Sequence, residues 1–538
     1  MWFKPILMCG GYQMKGTGIL LMTILVLICF TTPINAAQKT LVYGKSQAAI
    51  ALDPGVVDEG GSSIVVSQIF DSLLAYEPGG TKVIPALAEK YEISADGKEI
   101  TFFLRKGVKF HDGTDMDADA VVFSLARQQF KDHPYNQYGP WKYWDTSGFK
   151  DMFKKDGSLK KKGIIKDIVK TDDHTVKVLL NKADAAIMVN FTLYFTSIVS
   201  PTAVKKYGAD FRKNPVGTGA FKFVKWVKDD HVLLKKNKAY WGEKAKVDNL
   251  VFKVFPDATA RSMALIKGEV DIIEPPDADN LKELEKNPRV KIMSKEGLTM
   301  GYICMNVERK PFDNKLVRQA VNHAIDKNEI IQAVYGKLGS AATMPLPPSL
   351  WGFNKNIAPY TYDPGKAKEL LAKAGHADGF EVDLFALPVS RPYNPNGKKV
   401  GEIMQAQLKK VGINAKIVTY DIGTYWDKVD AGEFDMCMTG WSGEPDPNDW
   451  LHRLFTAGYL NSARWKNDVY TDLVTRARSI SNVAQRTGLY EKAQEIIHEE
   501  APIVMLAYGV LTAPMRDNVE GHIIYPSSKL VLRHISLK

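Results

Sequence analysis

Phe380-Glu381-Val382-Asp383-Leu384 alternates apolar and polar residues. Val400, Ile403, Met404, Leu408 and Val411 then recur at helical spacing up to Gly412, and Asn414 to Tyr420 (NAKIVTY) follows at once. Alternation with period two is the mark of a half-buried strand, whereas spacing of three and four residues places apolar side chains on one face of a helix. The stretch therefore reads as strand, helix, strand. Such a unit demands a parallel pair with a right-handed crossover, so the chain is expected to be α/β.

Outward from this unit the same grammar repeats. Asp363-Pro364 is a cap followed by proline at the first helical position, opening a helix through Leu370 and Leu371 to Gly375. Ile100 to Leu104 and the stretch to Phe110 read as strands around the turn Arg105-Lys106-Gly107, and Ala118 to Arg127 as an amphipathic helix. Further strands are expected at Phe221-Lys222-Phe223, at Leu250 to Val254 and at Asp435 to Gly440. No repeat of 20 to 50 residues appears, so the units are distinct. At roughly 150 residues per domain, 538 residues argue for about three domains.

The chain is 45% hydrophobic and 25% charged, which sets aside disordered, collagen-like and polytopic-membrane classes. Gly18 to Phe30 (GILLMTILVLICF) is too short an apolar run to span a bilayer and is followed by Pro33 and the small pair Ala36-Ala37. It reads as a cleavable secretory signal over residues 1–36, with translation starting at Met1 or at Met14. A net charge of +10 raises the question of nucleic acid. The one dense basic run is Lys154, Lys155, Lys160, Lys161 and Lys162 around Asp156-Gly157, without aromatic interleaving, and reads as a solvated loop. No nucleic-acid partner is expected.

Cys9 and Cys29 leave with the signal. Cys304 and Cys437 remain, each in an apolar strand-like stretch, and are expected to be buried free thiols.

Catalytic constellations are missing. His498-Glu499-Glu500 lacks the second histidine of a zinc helix, no Gly-x-Ser-x-Gly elbow occurs, and Gly217-Thr218-Gly219 runs into Ala220-Phe221 rather than a phosphate-cradling Gly-Lys-Ser/Thr. The ten histidines have no ligand spacing, so neither a metal nor another cofactor is expected. A non-enzyme is the expectation.

An ordered series of motifs resembles one family. Ala86-Leu87-Ala88-Glu89, Ser94-Ala95-Asp96-Gly97-Lys98 and Leu104-Arg105-Lys106-Gly107-Val108-Lys109-Phe110-His111-Asp112-Gly113 come first. Asn214 to Gly219, Tyr240-Trp241-Gly242, Pro311-Phe312-Asp313 with Val317-Arg318-Gln319-Ala320, and Trp441-Ser442-Gly443 continue it. Together they resemble the extracellular solute-binding proteins of family 5, the peptide, dipeptide and nickel receptors of bacterial ABC importers. Pro388 to Asn396 (PVSRPYNPN) is similar to the dipeptide-binding members.

The resemblance implies a type II periplasmic binding fold of three lobes. Lobe I would comprise residues 37–75, 211–297 and 511–538, an inserted lobe II 76–210, and lobe III 298–510, with ligand held between lobes I and III. It also implies a short peptide as ligand, membrane permease subunits as partners, a periplasmic location and a monomeric state. Family relatives that bind antimicrobial peptides, haem, glutathione, oligosaccharides or a nickel chelate are the neighbouring alternatives, and a secreted peptide hydrolase is the alternative of a different class.

A free peptide presents an ammonium and a carboxylate, and burying either costs several kcal/mol unless an opposite charge meets it. Arg391, just after the 380–387 strand, is the candidate cation, because guanidinium holds a carboxylate with two parallel bonds. The arginine at the matching position of dipeptide-binding relatives has that role. The anion is expected in Trp441-Ser442-Gly443-Glu444-Pro445-Asp446-Pro447-Asn448-Asp449-Trp450, where relatives carry an aspartate at the position of Glu444 and a longer loop. Either Glu444 reaches the ammonium with its extra methylene or Asp446 takes over. Trp441, Gly443 and Tyr393 complete the candidate site, and the two aromatics serve equally well as core packing.

Overall fold

The computed structural model describes residues 38–153, 159–456 and 460–538. The signal segment lies outside the described residues, as do Lys154 and Lys155 of the basic run. No helix among the described residues is long and apolar enough to cross a membrane.

The deciding unit forms as expected. Strand Phe380–Phe385 pairs in parallel with Ile413–Val418, Phe380 opposite Ile413, and helix Gly397–Lys409 connects them. Asn396 caps that helix by accepting from the Lys399 amide at 3.0 Å, while Val400, Met404 and Leu408 are buried. Asp363 caps helix Pro364–Lys373 in the same way. The one strand reading that fails is the stretch to Phe110. Phe110 and Met116 bond back to Thr114 and Val108 across a tight turn, leaving a single bridge between Lys109 and Asp115.

These strands belong to one eleven-stranded mixed sheet among the described residues. One flank holds Phe221–Val227, His231–Lys236, Asn249–Val254, Thr40–Lys45 and Ile272–Ile273; the other holds Met436–Ser442, Phe380–Phe385 and Ile413–Val418. Two long antiparallel strands join the flanks, Val290–Met305 and Ile503–Arg516. Their ladder is regular from Val290 opposite Arg516 to Glu296 opposite Val510, breaks, and resumes at Met300 opposite Tyr508. Burial changes at the same place. Residues 290–296 are half-buried or exposed, whereas 297–305 are buried almost throughout, as expected of a strand covered by helices on both faces. An irregular register of this kind disrupts the ladder locally and frees the strand to change direction beyond it.

Three large apolar clusters fill the molecule. The first gathers Leu41, Ile69, Leu250, Ile272, Met515 and Leu532; the second gathers Leu73, Phe102, Leu125, Val178 and Ile198; the third runs from Leu298 through Leu384, Met404, Met438 and Ile497 to Tyr508. The second covers the four-stranded sheet formed by Ala88–Ile93, Glu99–Leu104, Thr175–Leu180 and Ile165–Asp172. Val199, Ala203 and Val204, inside the segment expected for the inserted lobe, pack in the first cluster. Cys304 and Cys437 are buried free thiols in the third, directly opposite one another on neighbouring strands.

Candidate functional site

Strands Phe380–Phe385 and Met436–Ser442 run parallel, Leu384 opposite Met436, so the loops that follow them leave the sheet at the same carboxyl-terminal edge. That edge is where open α/β sheets bind ligands. The first loop carries Arg391 and Tyr393; the second carries Gly443, Glu444, Asp446 and Asp449.

The Arg391 loop is a tight turn lying on a floor of small residues. Arg391 and Asn394 exchange backbone hydrogen bonds of 3.0 and 2.9 Å, and the Tyr335 hydroxyl donates to the Tyr393 carbonyl at 2.8 Å. A Cβ on Gly301 would come within 2.1 Å of the Tyr393 carbonyl oxygen, and one on Gly440 within 2.2 Å of the Tyr393 ring. Only glycine lets the turn approach the strands this closely. Since Gly301 stands opposite Gly440 in the antiparallel ladder, the two form one patch. Held there, the Arg391 side chain stays exposed. It makes a long contact of 3.4 Å from Nη1 to the Ser390 carbonyl, and its charge and hydrogen bonding at the Tyr393 hydroxyl oppose the rise in pKa that burial causes there. The guanidinium is a positioned cation without a carboxylate partner among the described residues.

The second loop is organised by Asp449, a residue the sequence reading passed over. One of its oxygens accepts from the Trp441 indole N–H and from the Glu444 backbone N–H, both at 2.9 Å, while the other accepts from Arg453 at 2.9 Å. The Arg453 guanidinium lies 5.0 Å from the centre of the half-buried Trp441 ring. The spacing of Asp449 and Arg453, four residues apart, was the available signal. Gly443 donates its N–H to the Leu298 carbonyl at 3.0 Å, and the Trp450 indole donates to the Glu444 carbonyl at 2.9 Å. The Glu444 carboxylate is thereby turned toward Tyr76, whose hydroxyl donates to it at 3.0 Å. Burial, with Asp449 beside it, pushes the Glu444 carboxyl up to about 7, against the Tyr76 hydrogen bond and the charges of Lys529 and Arg453.

Asp446 stands apart from this arrangement. Both its oxygens accept from Arg486 Nη2, at 2.7 and 2.9 Å, and it caps the short turn Pro447–Asp449 through the Asn448 amide. Both side chains of the pair are buried. Asp446 is a structural counter-ion that fixes the loop to helix Val483–Glu500.

Two further contacts join segments far apart in the chain. Asp184 receives Arg478 of the third cluster's helix Asp468–Ser479 at 2.6 and 3.0 Å, and the Ala185 amide donates to the Arg478 carbonyl at 2.9 Å. With Tyr76 on Glu444, they tie residues 76–185 to residues 444–478.

The family model described as "Bacterial extracellular solute-binding proteins, family 5 Middle" matches residues 82–462. The dipeptide-binding protein of Escherichia coli K12 is 35% identical over 545 residues, covering 98% of this chain and 99% of that one. Heme-binding protein A of Haemophilus influenzae is 38% identical over 512 residues, 91% of each chain. The crystal structure of a dipeptide-binding protein from Pseudoalteromonas sp. SM9913 in complex with Met-Leu superposes with a TM-score of 0.76 at 31% identity, covering 93% of this chain and all of that one. With a lobed α/β architecture of this kind and a match of that extent, the chain belongs to the bacterial extracellular solute-binding proteins of family 5.

Proposed function

We propose that this chain is the periplasmic receptor of an ABC importer that captures short peptides by both termini and hands them to membrane permease subunits, acting as a monomer and without chemistry of its own. The observation that carries the reading is the placement of a guanidinium without a carboxylate partner, Arg391, and a half-buried carboxyl bonded to Tyr76, Glu444, on two loops leaving one edge of the sheet. Arg391 takes the peptide carboxylate through a two-pronged bond, and Glu444 takes the ammonium. Asp446, committed to Arg486, leaves the second role to Glu444.

A ligand that joins the two poles favours the form in which the lobes have met, and the contacts of Tyr76 with Glu444 and of Asp184 with Arg478 belong to that form. Trp441 and Tyr393 flank the poles, and waters accommodate variable side chains.

Native mass spectrometry of the exported protein, followed by calorimetry with the peptides recovered, tests the reading. Intact short peptides released on denaturation support it. Shortened products would point to a hydrolase, and haem in place of peptide would remove the peptide assignment.

A further inference from the structure

Behind Tyr76, at the seam between the first and second apolar clusters, lies a cavity of about 150 Å³ whose lining includes Asp71, Ser72, Tyr240, Trp241, Lys529 and Arg533. Its charges do not balance. Asp71 is the one acidic side chain in the lining, and it accepts from three neutral donors: the Thr218 hydroxyl at 2.8 Å, the Trp241 indole at 2.9 Å and the Tyr240 hydroxyl at 3.0 Å. Lys529 donates to the Thr192 carbonyl at 3.1 Å. The Arg533 side chain has no hydrogen-bond or ion-pair partner among the described residues, and its Nε is buried. Burial lowers the Lys529 ammonium to about 8; the Asp71 carboxylate works against this, whereas the charge of Arg533 adds to it. Two cations thus line one cavity with a single carboxylate in its lining, while Glu444 acts on Lys529 from beside it.

The Arg533 guanidinium is half-buried with open donors on the cavity, and an oxyanion is the group that satisfies its fork with two parallel bonds. Lys529 supplies a second, point-like cation on the same cavity. The volume suits an anion of a few heavy atoms and falls well short of the roughly 300 Å³ and more typical of sites for larger ligands, so a second peptide is excluded.

We propose that this cavity is a binding site for a small oxyanion, a phosphate or a short carboxylate, held between Arg533 and Lys529 and distinct from the peptide cleft.

Equilibrium dialysis of the mature protein with radiolabelled phosphate in one arm and radiolabelled acetate in the other, at constant ionic strength in chloride, tests it and separates the two sources. The expected result is one bound anion per chain in at least one arm, with affinity at least tenfold lower in Arg533→Gln and in Lys529→Gln. Arg533→Lys, which keeps the charge and loses the fork, should bind at an intermediate level, and Arg391→Ala should bind as the parent does. Thermal melts of each variant in chloride establish that it is folded. Binding in neither arm overturns the proposal. So does binding lost in Arg391→Ala and kept in Arg533→Gln, which would place the anion in the peptide cleft.

Discussion

The hydroxyl of Tyr76 donates to Glu444 at 3.0 Å, tying the strand Leu74–Tyr76 to a loop more than three hundred residues further along the chain. This contact stabilises the ionised form of a carboxyl that burial holds near 7. A peptide ammonium also needs that ionised form, so binding draws the carboxyl down and releases a proton wherever the free protein still holds one. Affinity for a zwitterionic peptide should therefore be full above about pH 7 and fall as pH drops through 7, by up to about tenfold per unit. Tyr76→Phe removes a lowering influence and should move the midpoint upward. Glu444→Gln should abolish the pH dependence together with most of the affinity. Calorimetry between pH 5 and 9 is the check, and a flat profile for the parent protein would contradict the role given to Glu444.

Arg391 is exposed and holds one long backbone hydrogen bond. Arg391→Ala should leave the urea midpoint within about 0.5 kcal/mol of the parent, as surface changes do, while weakening peptide binding by roughly a hundredfold. Unchanged calorimetric affinity would remove Arg391 from the carboxylate pole.

Asp446 should behave in the opposite way. Asp446→Ala leaves Arg486 buried without a counter-charge, beside the Trp351 ring 4.8 Å from its guanidinium, and should cost about 3–5 kcal/mol in equilibrium unfolding. Glu444→Gln, which removes a partly buried charge, should be neutral or slightly stabilising. A destabilised Glu444→Gln beside a normal Asp446→Ala would reverse the two assignments.

Asp184 and Arg478 form an ion pair with the aspartate side chain 1% exposed, and in the proposed receptor they hold the closed form. Asp184→Asn weakens this bridge and should raise the peptide dissociation rate several-fold with little change in association, measured by stopped-flow fluorescence. Small-angle scattering should show a larger ligand-free radius for that variant. An unaltered dissociation rate would mean that the pair plays no part in closure.

Cys304 and Cys437 face one another in the third cluster, and burial raises the Cys437 thiol well above its ordinary range. A thiol reagent should modify neither in the native protein and both in denaturant, with the protein purified under reducing conditions. Rapid native labelling would contradict their burial.

What could be read from the sequence was local. The period-two and period-3.6 patterns around Phe380 and Val400 gave the strand, helix, strand unit, and Asp363 and Asn396 behave as helix caps because capping depends on a few adjacent residues. Arg391 and Glu444 stand out because each follows a strand whose end sets the ligand edge and because each falls on a position that the resemblance to dipeptide-binding members marks. The remaining features depend on partners far along the chain. Nothing near Tyr76 announces Glu444, nothing near Asp446 announces Arg486, and the facing glycines 301 and 440 acquire meaning only once Tyr393 is laid across them. The turn after Gly107 was misread for a related reason. Val108 to Phe110 has the composition of a strand, but its backbone groups bond back to Thr114 and Met116 instead of extending a ladder.

The lapse in pairing between Glu296 and Met300, matched by the half-buried Val510 and Leu511 opposite, sits in the two strands that both flanks of the sheet share. In the proposed receptor it would act as a crease in an otherwise continuous fabric, about which the two sides could swing without unzipping the hydrogen bonds on either side. Stiffening that crease would then slow release to the transporter as much as capture, because both strokes turn on the same axle.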